Sequence, residues 1–218
     1  MTNTSFKQYL HLSEEATTDD NWFFTSKQQI NAWFETMGVG AGNYYINKDN
    51  TVSYNGNSLL ITNHELIWYK GKKCVLPVNF RSCKSDFTVS ATDILSLKGV
   101  PRSIDGAFKL MTPSITSVEY LPEEADDIYL HTSGIVELKG IEKWVKNTYG
   151  LFVPIDVKGL LSLVKIKNLN LIKTWSNAPD DLKRACKIVT KYCEANTHDV
   201  FACQEELIDA GLKDYAEL

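Results

Sequence analysis

Residues 86–110 read DFTVSATDILSLKGVPRSIDGAFKL, and the fold turns on how this stretch recurs along the chain. Phe87-Thr88-Val89 and Phe108-Lys109-Leu110 are apolar-x-apolar triplets 21 residues apart, and a third, Ile128-Tyr129-Leu130, follows after 20. An apolar residue before proline opens each unit: Leu76-Pro77, Val100-Pro101 and Leu121-Pro122. An apolar pair closes each one: Ile94 with Leu97, Ile115 with Val118, Ile135 with Leu138. In an extended triplet the outer side chains share one face and the middle one points to the other. The chain therefore lays down short strands of one orientation at a fixed interval.

One short strand in every 20–29 residues is the pattern of a leucine-rich-repeat-like solenoid. The expected class is α+β: a solenoid of short parallel strands with helical caps at both ends. Thirteen side chains are expected to be buried: Phe87, Val89, Ile94, Leu97, Ile104, Phe108, Leu110, Ile115, Val118, Ile128, Leu130, Ile135 and Leu138. Working backwards, Leu59-Leu60-Ile61 reads as an earlier, degenerate strand aligned with Phe87-Thr88-Val89. Residues 64–73 break the period and read as a bulged loop carrying Trp68 and Tyr69.

Around the repeats the organisation reads as follows. Residues 1–20 form a flexible N-terminal peptide and linker, and 21–218 a single domain. Within it lie a helical cap at 26–37, a hairpin at 43–58, repeats at 59–141, irregular strands at 151–175 and C-terminal helices at 178–195 and 199–216. Ser26 and Gln29 are spaced as a capping box, and Ile30, Trp33, Phe34 and Met37 recur as one helical stripe stopped by Gly38. At the far end Leu182, Cys186, Val189 and Cys193 make an apolar stripe, and Val200, Cys203 and Leu207 a second.

Composition excludes several classes. The 218 residues can bury one core unaided, and 44% apolar with 23% charged residues is globular, not disordered. No apolar run approaches 18 residues, which argues against a membrane span. Residues 1–20 lack the apolar region of a secretory signal. The formal charge of −4 argues against bulk attraction to nucleic acid, although residues 158–191 hold eight Lys and Arg. Five cysteines with no C-x-x-C pair read as reduced, mostly buried thiols of a cytoplasmic protein.

Catalytic patterns are missing from the sequence. His11, His64, His131 and His198 are scattered, without metal-ligand spacing, so no metal or cofactor is implied. Gly38-Val39-Gly40-Ala41-Gly42 neither follows a strand nor opens a helix with a lysine, and reads as a helix stop. What the repeat does offer is a surface. The outward row is Leu60, Thr88, Lys109 and Tyr129, the next is Thr62, Ser90, Met111 and His131, and the row on the other side is Ser58, Asp86, Ala107 and Asp127. Leu60, Thr88, Lys109, Met111, Tyr129 and His131 form the candidate interaction surface, because aromatic and Met side chains gain most from desolvation against a protein partner. The competing reading is a solvated sheet face, or an enzyme whose site lies between solenoid and C-terminal helices at His198, Asp199, Glu205 and Lys191.

The run from Asp86 to Phe108 resembles leucine-rich-repeat-like proteins, uncharacterised in function, of large tailed bacteriophages. Their theme is D-F-x-C/V-S-x-x-x-L-x-S-L-x-G-x-P-x-x-V-x-G-x-F, preceded by an N-Y-x-I-N-x-D-G-T-V entry that residues 43–52 match, and followed by a C-terminal helix like residues 202–212. Two departures stand out: Tyr120 replaces a glycine and Glu137 a serine, so a distorted third turn is expected. The resemblance implies a phage gene product and carries over no catalytic residues. It also implies two readings of residues 1–20. Leu12-Ser13-Glu14 fits the [L/I]-x-E pattern cut by prohead proteases, after a short amphipathic segment at Phe6, Tyr9, Leu10 and Leu12 that resembles a capsid-targeting peptide. The protein would then be an internal head protein cut after Glu14; otherwise it would act in the host cytoplasm.

Overall fold

The structure is a computed structural model, and it describes residues 22–69, 73–194 and 198–217. The N-terminal helix α1 (Lys27–Thr36) starts on the capping box expected of it: Gln29 N–H donates to Ser26 Oγ at 3.3 Å, and Ser26 N–H to Gln29 Oε1 at 3.2 Å. Gly38 ends it in the left-handed region. Ile30, Trp33 and Phe34 are buried beneath it. Phe34 stacks on Tyr44 at 4.0 Å and meets Phe80 edge-on at 6.1 Å, while Trp33 Nε1 donates to the Glu65 carbonyl at 2.8 Å. Those contacts seat α1 on the first rung as a cap.

The hairpin follows, β1 (Tyr44–Ile46) against β2 (Val52–Tyr54), antiparallel. Next come β3 (Leu59–Ile61), the pair β4 (Ile67–Tyr69) and β5 (Lys73–Val75), then β6 (Phe80–Cys83), β7 (Phe87–Val89) and β8 (Ser103–Leu110). β9 (Glu124–Tyr129), β10 (Asn147–Phe152) and β11 (Leu171–Lys173) complete the strands. Apart from the β1–β2 hairpin, the main sheet is parallel: β2 pairs β6, β3 pairs β7, both β6 and β7 pair β8, and β8–β9–β10–β11 run on in order. The long β8 serves both branches, its start against Cys83 and its end against Val89. Each earlier rung is thus one strand broken in the middle.

Register stacks Leu59, Phe87, Phe108, Ile128, Leu151 and Ile172 into one buried column. All thirteen side chains expected inside are buried. An aromatic spine joins this column to the cap, with Phe80 and Phe87 5.3 Å apart and Phe87 and Phe108 stacked at 6.5 Å. This is the parallel β-solenoid expected from the repeat.

Three expectations need correction. The bulged loop at 64–73 contains an antiparallel two-stranded sheet, β4–β5, with Ile67 opposite Val75. The irregular strands at 151–175 are only partly strand: the apolar run Leu160–Lys165 winds as a 3-10 helix that buries Leu160, Leu161, Leu163 and Val164 under the C-terminal helices. The third turn is not distorted. Gly99, Tyr120 and Gly140 occupy equivalent positions with φ of +105°, +63° and +84°, so the tyrosine adopts the backbone its sister glycines have. A non-glycine residue there costs roughly 1–2 kcal/mol, and the Tyr120 ring packs against Trp144 at 4.8 Å. Glu137 likewise does the work of its serine counterparts. Ser96, Ser117 and Glu137 each accept from the N–H two residues on, at 3.1, 3.1 and 2.9 Å.

The chain ends in α2 (Asp180–Glu194) and α3 (Val200–Asp209), the latter opened by Asp199 accepting from Ala202 N–H at 3.0 Å. α2 packs on β11 and on the 3-10 segment, covering the last rung. Cys74, Cys83, Cys186, Cys193 and Cys203 are all buried free thiols. Burial pushes Cys186, Cys193 and Cys203 up to about 12, which holds them protonated and inert. No helix among the described residues is long and apolar enough to cross a membrane. The proposed processing site, Leu12 and Glu14, and the whole peptide at 1–20 lie outside the described residues.

Candidate functional site

Strand alternation sets the outward face of the solenoid, and the register aligns its residues across rungs. Leu60 lies beside Thr88, Thr88 beside Lys109, and Lys109 beside Tyr129, as the repeat implies. The same row continues through Phe152 to Lys173. Two residues past Lys109 and Tyr129 stand Met111 and His131. All six expected residues therefore belong to one face. Leu60 and Met111 are the open members, each 51% exposed; Thr88, Lys109, Tyr129 and His131 are half-buried against their neighbours.

Two aromatic residues complete the surface and were not anticipated. Phe152 stacks on Tyr129 at 4.1 Å with planes 10° apart, and Trp175 meets His131 edge-on at 4.5 Å. The Trp175 indole N–H donates to the His131 carbonyl at 3.3 Å, which holds the indole over the imidazole. Tyr129 and His131 are themselves 5.8 Å apart. Such offset and edge contacts are the favourable geometries for aromatic pairs. The four rings form one continuous platform with Met111 at its border. His131 Nδ1 is buried with no hydrogen-bond partner among the described residues, and burial holds the imidazole below its ordinary pKa.

Charges sit in the row beside the platform. Lys109 Nζ pairs with Asp86 Oδ2 at 2.5 Å, and the other carboxylate oxygen accepts from Ala107 N–H at 3.0 Å. The lysine and that amide hold Asp86 below the usual carboxylate range. Asp127 behaves oppositely: burial first, then the neighbouring Asp126, raise its carboxyl although Tyr129 donates to it. Gly150 opposite Asp127 leaves room for this carboxylate, since a Cβ there would collide with Asp127 Oδ1.

The two aspartates should therefore move stability in opposite directions. Asp86, with its folded pKa lowered, stabilises above the unfolded pKa and loses that contribution as pH falls through its folded value. Asp127, with its folded pKa raised, contributes only below the unfolded pKa and loses that as pH rises through its folded value. Urea unfolding at pH 7 should show Asp86→Asn destabilising by about 1–2 kcal/mol, the scale of charged hydrogen bonds. Asp127→Asn should leave stability equal or higher at pH 7. Both differences should shrink at pH 3, where wild type is itself protonated at these positions.

The residues weighed for chemistry near the C-terminal helices hold structural bonds. His198 Nδ1 lies 2.6 Å from the Val164 carbonyl, and Asp199 caps α3. Lys191 pairs with Glu206 at 2.7 Å, and Tyr192 OH donates to the same carboxylate at 2.7 Å. Of the eight basic residues at 158–191, Lys165, Lys183, Arg184 and Lys191 pair with carboxylates. Among the described residues no group of three or more His, Cys, Asp and Glu is placed to hold a metal ion. Fold and surface together define a parallel β-solenoid with an aromatic-rich sheet face. Comparison with protein-family models, with curated proteins and with solved structures gave no match.

Proposed function

We propose that this chain is a non-enzymatic, phage-encoded interaction module that binds a protein partner through the outward sheet face. The observation that supports this most is the platform of Tyr129, Phe152, His131 and Trp175, bordered by Met111, on a rigid parallel sheet. Aromatic and Met side chains on a preorganised scaffold are the usual anchors of protein interfaces. The phage origin rests on the resemblance of the repeat and places the partner in the host cytoplasm or in the virion.

The test is affinity capture with the tagged full chain from lysate of phage-infected bacteria, wild type against Tyr129→Ala with Lys109→Ala. The expected result is a stable partner whose retention falls about tenfold or more in the double variant, as removal of a central anchor would cause. Unchanged circular dichroism of the variant excludes unfolding as the reason. A partner retained equally by both proteins would overturn the reading.

Packaging in the virion, with loss of residues 1–14, is a second reading that the fold accommodates. Every described strand and helix lies after residue 21, so cleavage after Glu14 would leave them all intact. Mass spectrometry of purified particles should then find the chain beginning at Glu15. Absence from the particle, or presence with residues 1–14 attached, would remove that reading.

A further inference from the structure

The sheet face has a second half whose chemistry differs from the aromatic platform. At the starts of β8, β9 and β10 the side chains turned outward are polar, since Ile104, Ala125 and Thr148 take the buried positions between them. Asp105, Glu124, Asp126, Asn147, Tyr149 and Asn168 line a concavity of about 360 Å³ there. Its rim is ordered by Asn168 Nδ2 donating to Asn147 Oδ1 at 2.9 Å, and Tyr149 stands 59% exposed beside it. None of Asp105, Glu124 and Asp126 has an ion-pair partner among the described residues. This contrasts with Asp86, which Lys109 neutralises on the same face. The uncompensated field reaches the platform, because Asp126 is among the causes that raise the Asp127 carboxyl.

We infer that the partner segment is basic as well as apolar: an extended peptide whose arginine enters the acidic concavity while an apolar side chain settles on the Tyr129–Phe152 stack. This rests on the sheet face being the binding surface and names the chemistry of what binds. The geometry sets the spacing. Glu124 and Asp126 precede Tyr129 by five and three residues on one strand, which is roughly 10–17 Å at the rise of a β-strand. Two anchors three to five residues apart on an extended segment span that distance. Arginine suits the concavity better than lysine, because its planar guanidinium forks onto carboxylates and stacks on an exposed ring such as Tyr149. Nucleic acid is disfavoured, since its phosphates would meet the same unpaired carboxylates.

The experiment is selection of a displayed library of random dodecapeptides on the full chain, with parallel selections on two variants. One is Tyr129→Ala. The other combines Asp105→Asn, Glu124→Gln and Asp126→Asn, which keep side-chain volume and remove like-charge repulsion, so folding should survive; unfolding curves check it. Peptides enriched on wild type should carry arginine in excess over the library, with an apolar residue three to five positions away. Their affinity should fall about tenfold or more on the neutralised variant, and most of its salt dependence should go with it. Enriched peptides that lack a basic excess but still lose binding on Tyr129→Ala would overturn the basic partner and leave the sheet face standing. Peptides indifferent to both variants, or no enrichment at all, would overturn both readings. So would retention of a neutral oligosaccharide by wild type in place of any peptide.

Discussion

Phe108→Ala should lower the unfolding free energy by about 3–5 kcal/mol, a large share of the 5–15 kcal/mol typical of a domain. Phe108 is fully buried at the middle of the column, stacked on Phe87 and beside Ile128. Truncation leaves a cavity bounded by two neighbouring rungs, and strands hydrogen-bonded on both sides cannot move in to close it. The end of the solenoid should respond less. At Ile172, which is 6% exposed on the last strand, alanine removes contacts to one neighbouring rung only. Guanidinium unfolding of the two variants tests this, and an equal loss at both positions would contradict nearest-neighbour stacking as the source of stability.

Gly134→Ala should destabilise by about 2–3 kcal/mol, through crowding and not through lost burial. A Cβ at Gly134 would collide with the Pro113 carbonyl oxygen and lie 3.0 Å from that of Ile115. Both obstacles are backbone atoms of the preceding turn, and backbone cannot rotate away as a side-chain tip can. Gly42 is the control, with nothing within 4 Å of the added atom; Gly42→Ala should stay within about 0.5 kcal/mol of wild type. Similar unfolding midpoints for the two alanines would show that the turns of adjacent rungs are not in contact at Gly134.

The column from Leu59 to Ile128 was legible in the sequence because two periodicities agree there. Alternation within a triplet says which side chains face in, and the interval of 21 or 20 says which triplets are neighbours. That agreement also set Leu60, Thr88, Lys109 and Tyr129 in one row. It failed at Phe152 and Trp175. Between β10 and β11 the 3-10 run Leu160–Lys165 buries consecutive apolar residues, a pattern with neither the period of a strand nor that of an α-helix. The row could not be extended across it. The unpaired state of Asp105, Glu124 and Asp126 was hidden for another reason. Whether a carboxylate is neutralised depends on which cation the register brings near, as Lys109 comes to Asp86 across the sheet from 23 positions away. The β4–β5 pair escaped because it interrupts the repeat that guided everything around it.

The near-constant interval between rungs bears on how the chain finds this arrangement. From Phe87 the column advances by 21, 20, 23 and 21 residues to Ile172. Closure entropy varies with the logarithm of segment length, so these four steps differ by only about 0.1 kcal/mol. No rung is favoured as a starting point by its connection. The choice falls instead to apolar content, which is greatest where Phe80, Phe87 and Phe108 meet. Once β7 and β8 have paired, every later strand joins an existing edge at nearly the same entropic cost, and the solenoid grows toward α2 as a zipper of equal steps.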